Sequence, residues 1–114
     1  MLSLTGYSFV LRPGATDFRN QQNGLSGLVR NDLKQDPMTQ GVIFIFFNAH
    51  RNQVKLLTWE GDGYGMYYKR LSVGTFAEPK YDSSSGTAIM QRKELSLLLD
   101  GIDISYRKRY LKKV

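Results

Sequence analysis

Cysteine is absent from this 114-residue chain, and histidine occurs once. The first absence removes disulfides, thiolate nucleophiles and zinc–thiolate sites. The two together leave too few ligands for a transition-metal centre. No apolar run approaches the roughly eighteen residues that a membrane-spanning helix needs. The opening residues Met-Leu-Ser-Leu-Thr-Gly-Tyr-Ser lack a basic region followed by an apolar one, so a cytoplasmic protein with no membrane partner is expected. Acidic residues are few, 10 against 16 Lys and Arg, which gives a net charge of +6. Hydrophobic residues at 41% and charged residues at 23% exclude global disorder, and the length fits a single modest core.

The positive charge is concentrated at one end. Residues 105–114 hold Arg107, Lys108, Arg109, Lys112 and Lys113 and no acid, so the first 104 residues are within one charge of neutral. A domain over 1–104 followed by a basic tail over 105–114 is the expected organisation. A polyanion is the natural partner of such a tail: nucleic acid first, then anionic lipid or an acidic protein surface. The competing reading is that the tail only maintains solubility.

Three strand-like runs dominate the middle. Val42–Phe47 has six consecutive apolar residues. Successive strand residues face opposite ways, so a run with no polar member must be covered on both faces. It is therefore expected at the centre of a sheet. Gln53–Glu60 and Tyr64–Leu71 follow, separated from it and from each other by Ala49-His50-Arg51-Asn52 and Gly61-Asp62-Gly63. Loops this short predict an antiparallel meander.

Before the meander, Leu2–Leu11 reads as a strand stopped by Arg12-Pro13-Gly14. Thr16 and Asp17 are N-cap candidates for a helix whose apolar face is Phe18, Leu25, Leu28, Val29 and Leu33. Gly24 and Gly27 in that helix suggest close approach to the sheet. After the meander, Leu71–Phe76 reads as an edge or a bend about Gly74, and Asp82–Gly86 as a loop. Leu95, Leu98, Leu99 and Ile102 predict a second helix closed by Asp100-Gly101. The fold class expected is α+β: an antiparallel sheet of four or five strands including the meander, two packed helices and the basic C-terminal tail.

Catalysis finds no support in these residues. Phosphoryl transfer on DNA ordinarily needs carboxylates that hold metal ions. Asp17 is explained as a cap, Asp62 as a turn residue, and Asp100 and Asp103 by a helix end, which leaves only Glu60 on a strand. His50 sits in a turn with no orienting partner or nucleophile. Gly61-Asp62-Gly63 lacks the Lys-Ser/Thr of a phosphate-binding loop. No catalytic residue, metal or cofactor is expected. The stronger set is aromatic and cationic: Trp59, Tyr64, Tyr67 and Tyr68 as an interaction surface, with Arg51, Lys55, Lys69 and Arg70 as a second phosphate-contacting group beside the tail. Aromatic platforms flanked by cations bind nucleic acid by stacking and charge neutralisation. Ordinary sheet tyrosines with solvated edge charges would give the same pattern.

Several segments also carry a resemblance. Thr16-Asp17-Phe18-Arg19 with Gly24-Leu25 forms the first, and Phe46-Phe47-Asn48 with Arg51 opens a central block. That block continues through Lys55–Tyr64, Tyr68-Lys69-Arg70-Leu71 and Gly74-Thr75-Phe76. Glu94-Leu95, then Leu98–Asp103, closes the series. In this order they resemble the TnpB-type accessory proteins of the bacterial insertion sequences numbered sixty-six, which are distinct from the RNA-guided nucleases of similar name. Phe18 stands where Met is usual in that family, and Asn20 where a basic residue is common. The resemblance implies a non-enzymatic accessory of transposition, encoded beside a larger transposase that carries the catalytic carboxylates. Its implied partners are DNA, that transposase, or both. A module that binds only protein is the alternative.

Overall fold

The central strand is the one whose sequence is apolar on both parities. In the computed structural model, residues 7–76 are described, together with two short backbone strands at 88–90 and 111–112. The elements are β1 (Ser8–Ala15), α1 (Gln22–Asn31), β2 (Val42–Phe47), β3 (Gln53–Trp59), β4 (Tyr64–Arg70), β5 (Thr75–Phe76), β6 (Ala88–Met90) and β7 (Leu111–Lys112). Five of them form a sheet in the order β4-β3-β2-β1-β6, and β5 pairs with β7 separately. β2 is third of five. Ile43, Phe44, Ile45 and Phe46 have no measurable exposure, as a strand covered on both faces requires.

The two faces carry separate cores. On one, Val10, Phe44, Phe46 and Leu57 meet Leu25, Val29 and Leu33 from α1 and the turn after it. On the other, Phe9, Leu11, Ile43, Ile45, Phe47, Val54 and Leu56 cluster with Leu71 and Phe76. The helical spacing of Leu25, Val29 and Leu33 thus has its expected consequence, one buried stripe on a layer of sheet.

The meander is present, but the sheet is mixed rather than antiparallel. β2–β3 and β3–β4 are antiparallel, whereas β1 and β2 run parallel, Phe9 beside Ile43 and Leu11 beside Ile45. Parallel neighbours need a long connection to carry the chain back, and here residues 16–41, including α1, provide it. β1 also outlasts its expected stop. It passes through Pro13 and Gly14 with a break in register between Leu11 and Ala15, and Gly14 has φ +79°. Proline is tolerated at such a bulge because no ladder bond is lost there. The Arg12 guanidinium braces it, donating to Ala15 O (2.7 Å), Thr16 Oγ1 (3.1 Å) and the Asp32 carboxylate (2.7 Å) beyond α1.

The helix begins later than Thr16 and Asp17 suggest. Its N-cap is Gln21, which makes no side-chain capping bond. Gly24 lies against the Asn20 side chain and Gly27 has open space, so neither glycine marks contact with the sheet. β6, which pairs antiparallel with β1, was not expected from the sequence. The expected second helix, its Asp100-Gly101 end and the Asp82–Gly86 loop lie outside the described residues, as does most of the tail. Among the described residues, no helix is long and apolar enough to cross a membrane.

Candidate nucleic-acid and partner interface

The β3–β4 hairpin organises the candidate surface. Gly61, at φ +97°, supplies the backbone turn, and Glu60 N–H donates to Gly63 O at 2.8 Å. The register pairs Gln53 with Arg70, Lys55 with Tyr68, Leu57 with Met66 and Trp59 with Tyr64. Directly paired residues share a face, so Trp59, Tyr64, Met66, Tyr68 and Arg70 stand on the α1 side. Tyr67 and Lys69 stand on the other, and Tyr67 packs against the Ile43–Leu56 core. Three of the four expected aromatics therefore share a face. Trp59 and Tyr64 meet edge-on at 5.0 Å. Tyr68 is half exposed, and its hydroxyl donates to Gln53 Oε1 at 2.7 Å. Sequence reading missed Gln53 and Met66 as members of this surface; the hairpin register was the signal that could have found them.

Lys55 departs from its expected role. Only 6% of it is exposed, and its ammonium donates to Phe18 O (3.0 Å) and Asn20 O (2.9 Å). It also lies 4.9 Å from the centre of the Phe18 ring. A buried cation satisfied by two carbonyls and an aromatic face is a structural fastener, not a phosphate contact. It straps the segment before α1 onto the sheet, and Phe18 in turn packs 6.4 Å from Tyr68.

Arg51 likewise serves the fold. It adopts φ +56° in the turn between β2 and β3 and lies 5.0 Å over the Phe47 ring. Its Nε donates to Phe76 O (3.2 Å), and Phe76 N–H donates back to Arg51 O (2.6 Å). The turn itself hangs on Asn48, whose side-chain oxygen accepts from the N–H groups of Asn52 and Gln53, both at 3.0 Å. Arg70, in contrast, is exposed, and with Asn52, Leu71, Ser72 and Gly74 it lines an open cleft of about 380 Å³. β7 pairs Lys112 with Thr75 and Leu111 with Phe76, which brings the backbone of the tail beside the strand that Arg51 holds. The side chains of Arg107, Lys108, Arg109, Lys112 and Lys113 lie outside the described residues.

Among the described residues, the acids have local settings. Glu60 lies over Gly65, and His50 and Asp62 are exposed turn residues. Among the described residues, no group of three His, Cys, Asp or Glu side chains is placed to hold a metal ion. Asp17 accepts from the Arg19 backbone N–H (2.9 Å) and its guanidinium (2.6 Å), so it makes a local turn instead of capping the helix. The hydrogen bonds from Arg19 hold the Asp17 carboxyl at about 2, below its ordinary 3.8, and raise the guanidinium in return. A carboxyl lowered in the folded state favours that state above the unfolded value, and the contribution disappears as pH falls from 3.8 towards 2. We expect an NMR titration of Asp17 to give a midpoint near 2, and Arg19→Ala to return it towards 3.8. An unchanged midpoint in that variant would refute the pairing in solution.

The family described as "IS66 Orf2 like protein" matches residues 7–109. Two uncharacterized proteins of Sinorhizobium fredii (strain NBRC 101917 / NGR234) are similar. y4jC is 33% identical over 104 residues, covering 91% of this chain and 86% of its own length. y4hO is 32% identical over 90 residues, covering 79% and 76%. No solved structure matches. With nearly the whole described core inside the matched range, the chain belongs to the IS66 Orf2-like family, a family of transposition accessory proteins and not a known class of enzyme.

Proposed function

We propose that this chain is a non-enzymatic, cytoplasmic accessory of transposition that binds DNA beside a larger transposase. The family match over residues 7–109 carries the accessory role. Charge distribution supports the DNA part: five of the six net positive charges fall in 105–114. Arg107, Lys108, Arg109, Lys112 and Lys113 neutralise phosphates, and Lys69 and Arg70 extend that set on β4. Arg51 and Lys55 are left out, because their cationic groups are engaged within the fold. The return of Leu111–Lys112 beside Thr75–Phe76 supports a common basic end, since Arg51 ties β5 to the start of the same hairpin that ends in Arg70.

Binding of a labelled duplex carrying the end of the element tests this reading. Binding is expected at low ionic strength, with affinity falling as salt rises. No binding at low salt would overturn it. A second reading, docking on the transposase alone, is favoured by exposed Met66 and Tyr68 on β4. Co-purification with the transposase after nuclease treatment, unaffected by neutralising the tail, would select that reading.

A further inference from the structure

The outer edge of β4 is unpaired among the described residues, because β4 closes one end of the five-stranded sheet. Natural edges are blunted by proline, bulges, short length or charge. β4 runs seven residues, has no proline, and keeps an unbroken register with β3. Its charges lie only at the end, in Lys69 and Arg70.

The direction of each backbone group follows from two bonds. Glu60 N–H donates to Gly63 O and Leu71 N–H to Asn52 O, both at 2.8 Å. Bonded and non-bonded pairs alternate along an antiparallel ladder. Lys69, Tyr67 and Gly65 therefore turn their N–H and C=O inward to β3. Tyr64, Met66, Tyr68 and Arg70 turn theirs outward, and the side chains of these same four residues share the α1-side face.

We propose that this edge pairs with β4 of a second copy of the chain, antiparallel and centred on Tyr67, joining two sheets into one. Full overlap about a twofold axis at Tyr67 sets Tyr64 opposite Arg70 and Met66 opposite Tyr68, so every outward group of one strand meets an outward group of the other. On the opposite face, Gly65 meets Lys69 and Tyr67 meets its own copy. Arginine against an aromatic ring and methionine against another are favourable contacts, and no like charges are directly opposed. Sliding the centre to Lys69 would set two ammonium groups face to face. The register centred on Tyr67 therefore gives the full seven-residue overlap and the most hydrogen bonds without opposing like charges. A single strand pair is a small interface, so the dimer is concentration-dependent.

Sedimentation equilibrium of the full chain over a range of concentrations tests the proposal. Reversible association to twice the monomer mass is expected. Met66→Pro removes an outward N–H without touching the β3 ladder, and should weaken association by about tenfold or more with the fold intact by circular dichroism. If that variant does not fold, the double variant Met66→Lys, Tyr68→Lys decides, since it opposes two lysine pairs across the junction.

Register is read by cross-linking, because the chain has no cysteine of its own. Tyr67→Cys sits on the twofold axis and should oxidise to a covalent dimer. Lys69→Cys lies too far from its own copy to do so. A chain that stays monomeric at the highest soluble concentration would overturn the proposal. A dimer that persists in folded Met66→Pro, or in the double lysine variant, or that cross-links through Lys69→Cys and not Tyr67→Cys, would also overturn it.

Discussion

Phe44→Ala will remove a large part of the stability of this chain. Phe44 has no exposed surface and sits on the central strand, between Val10 of β1 and Leu57 of β3 and under Leu25 and Val29 of α1. Truncating a fully buried phenylalanine loses its transfer free energy and leaves a cavity, together costing about 3–5 kcal/mol. Small domains are stable by only about 5–15 kcal/mol. Urea unfolding should therefore show a much lower midpoint with an unchanged slope. Val73→Ala, at a residue 72% exposed, is the control and should lie within about 0.5 kcal/mol of the parent. Equal midpoints for the two variants would contradict a helix packed over β2.

Lys55→Met will destabilise the fold while leaving DNA affinity essentially unchanged. Methionine keeps the length of the side chain but loses the bonds to Phe18 O and Asn20 O and the charge beside the Phe18 ring. Hydrogen bonds made by a charged group contribute about 1.5–3 kcal/mol each. Phe18 and Asn20 are only half-buried, so water can recover part of that, and a net loss of about 2 kcal/mol is expected. Arg70→Ala should behave in the opposite way, with stability within about 0.5 kcal/mol of the parent and weaker DNA binding. Chemical denaturation and DNA titration of the same two proteins separate the roles. If Lys55→Met lost DNA affinity with its stability intact, the assignment of Lys55 to the fold would fail.

These two residues also mark what sequence reading can reach. Val42–Phe47 announces a central strand because neither parity contains a polar residue. The β3–β4 hairpin is announced by Gly61-Asp62-Gly63. Lys55 gives no comparable signal: a lysine on a strand looks like a solvated charge, and its partners are carbonyls more than thirty residues away in the chain. The Asp17 misreading has a chemical cause, since the same short carboxylate serves helix caps and tight turns. Only the position of Arg19 and the late start of α1 distinguish them.

Pairing was the least legible level. Periodicity in β1 specifies which side chains are buried, but not whether the neighbouring strand runs parallel or antiparallel. The three-residue β6 and the two-residue β5 and β7 are too short to show any period. For the candidate site, the hairpin register could be inferred from the turn, and with it the shared face of Trp59, Tyr64 and Tyr68. The bond from Arg51 to Phe76 O, across 25 residues of chain, depends on long-range packing that no local pattern encodes.

The proposal that the basic tail holds DNA is tested most directly by the dependence of affinity on salt. Truncation is the wrong variant, because residues 105–114 include β7. Glutamine at Arg107, Lys108, Arg109, Lys112 and Lys113 removes the charge and keeps the strand. Each neutralised phosphate contributes about 0.9 to the slope of log affinity against log salt, so five contacts account for a slope of roughly four to five. The parent chain should show at least that slope on element-end duplex, and the glutamine variant should lose most of it. A slope equal in the two proteins would contradict the account and leave the tail without a part in DNA binding.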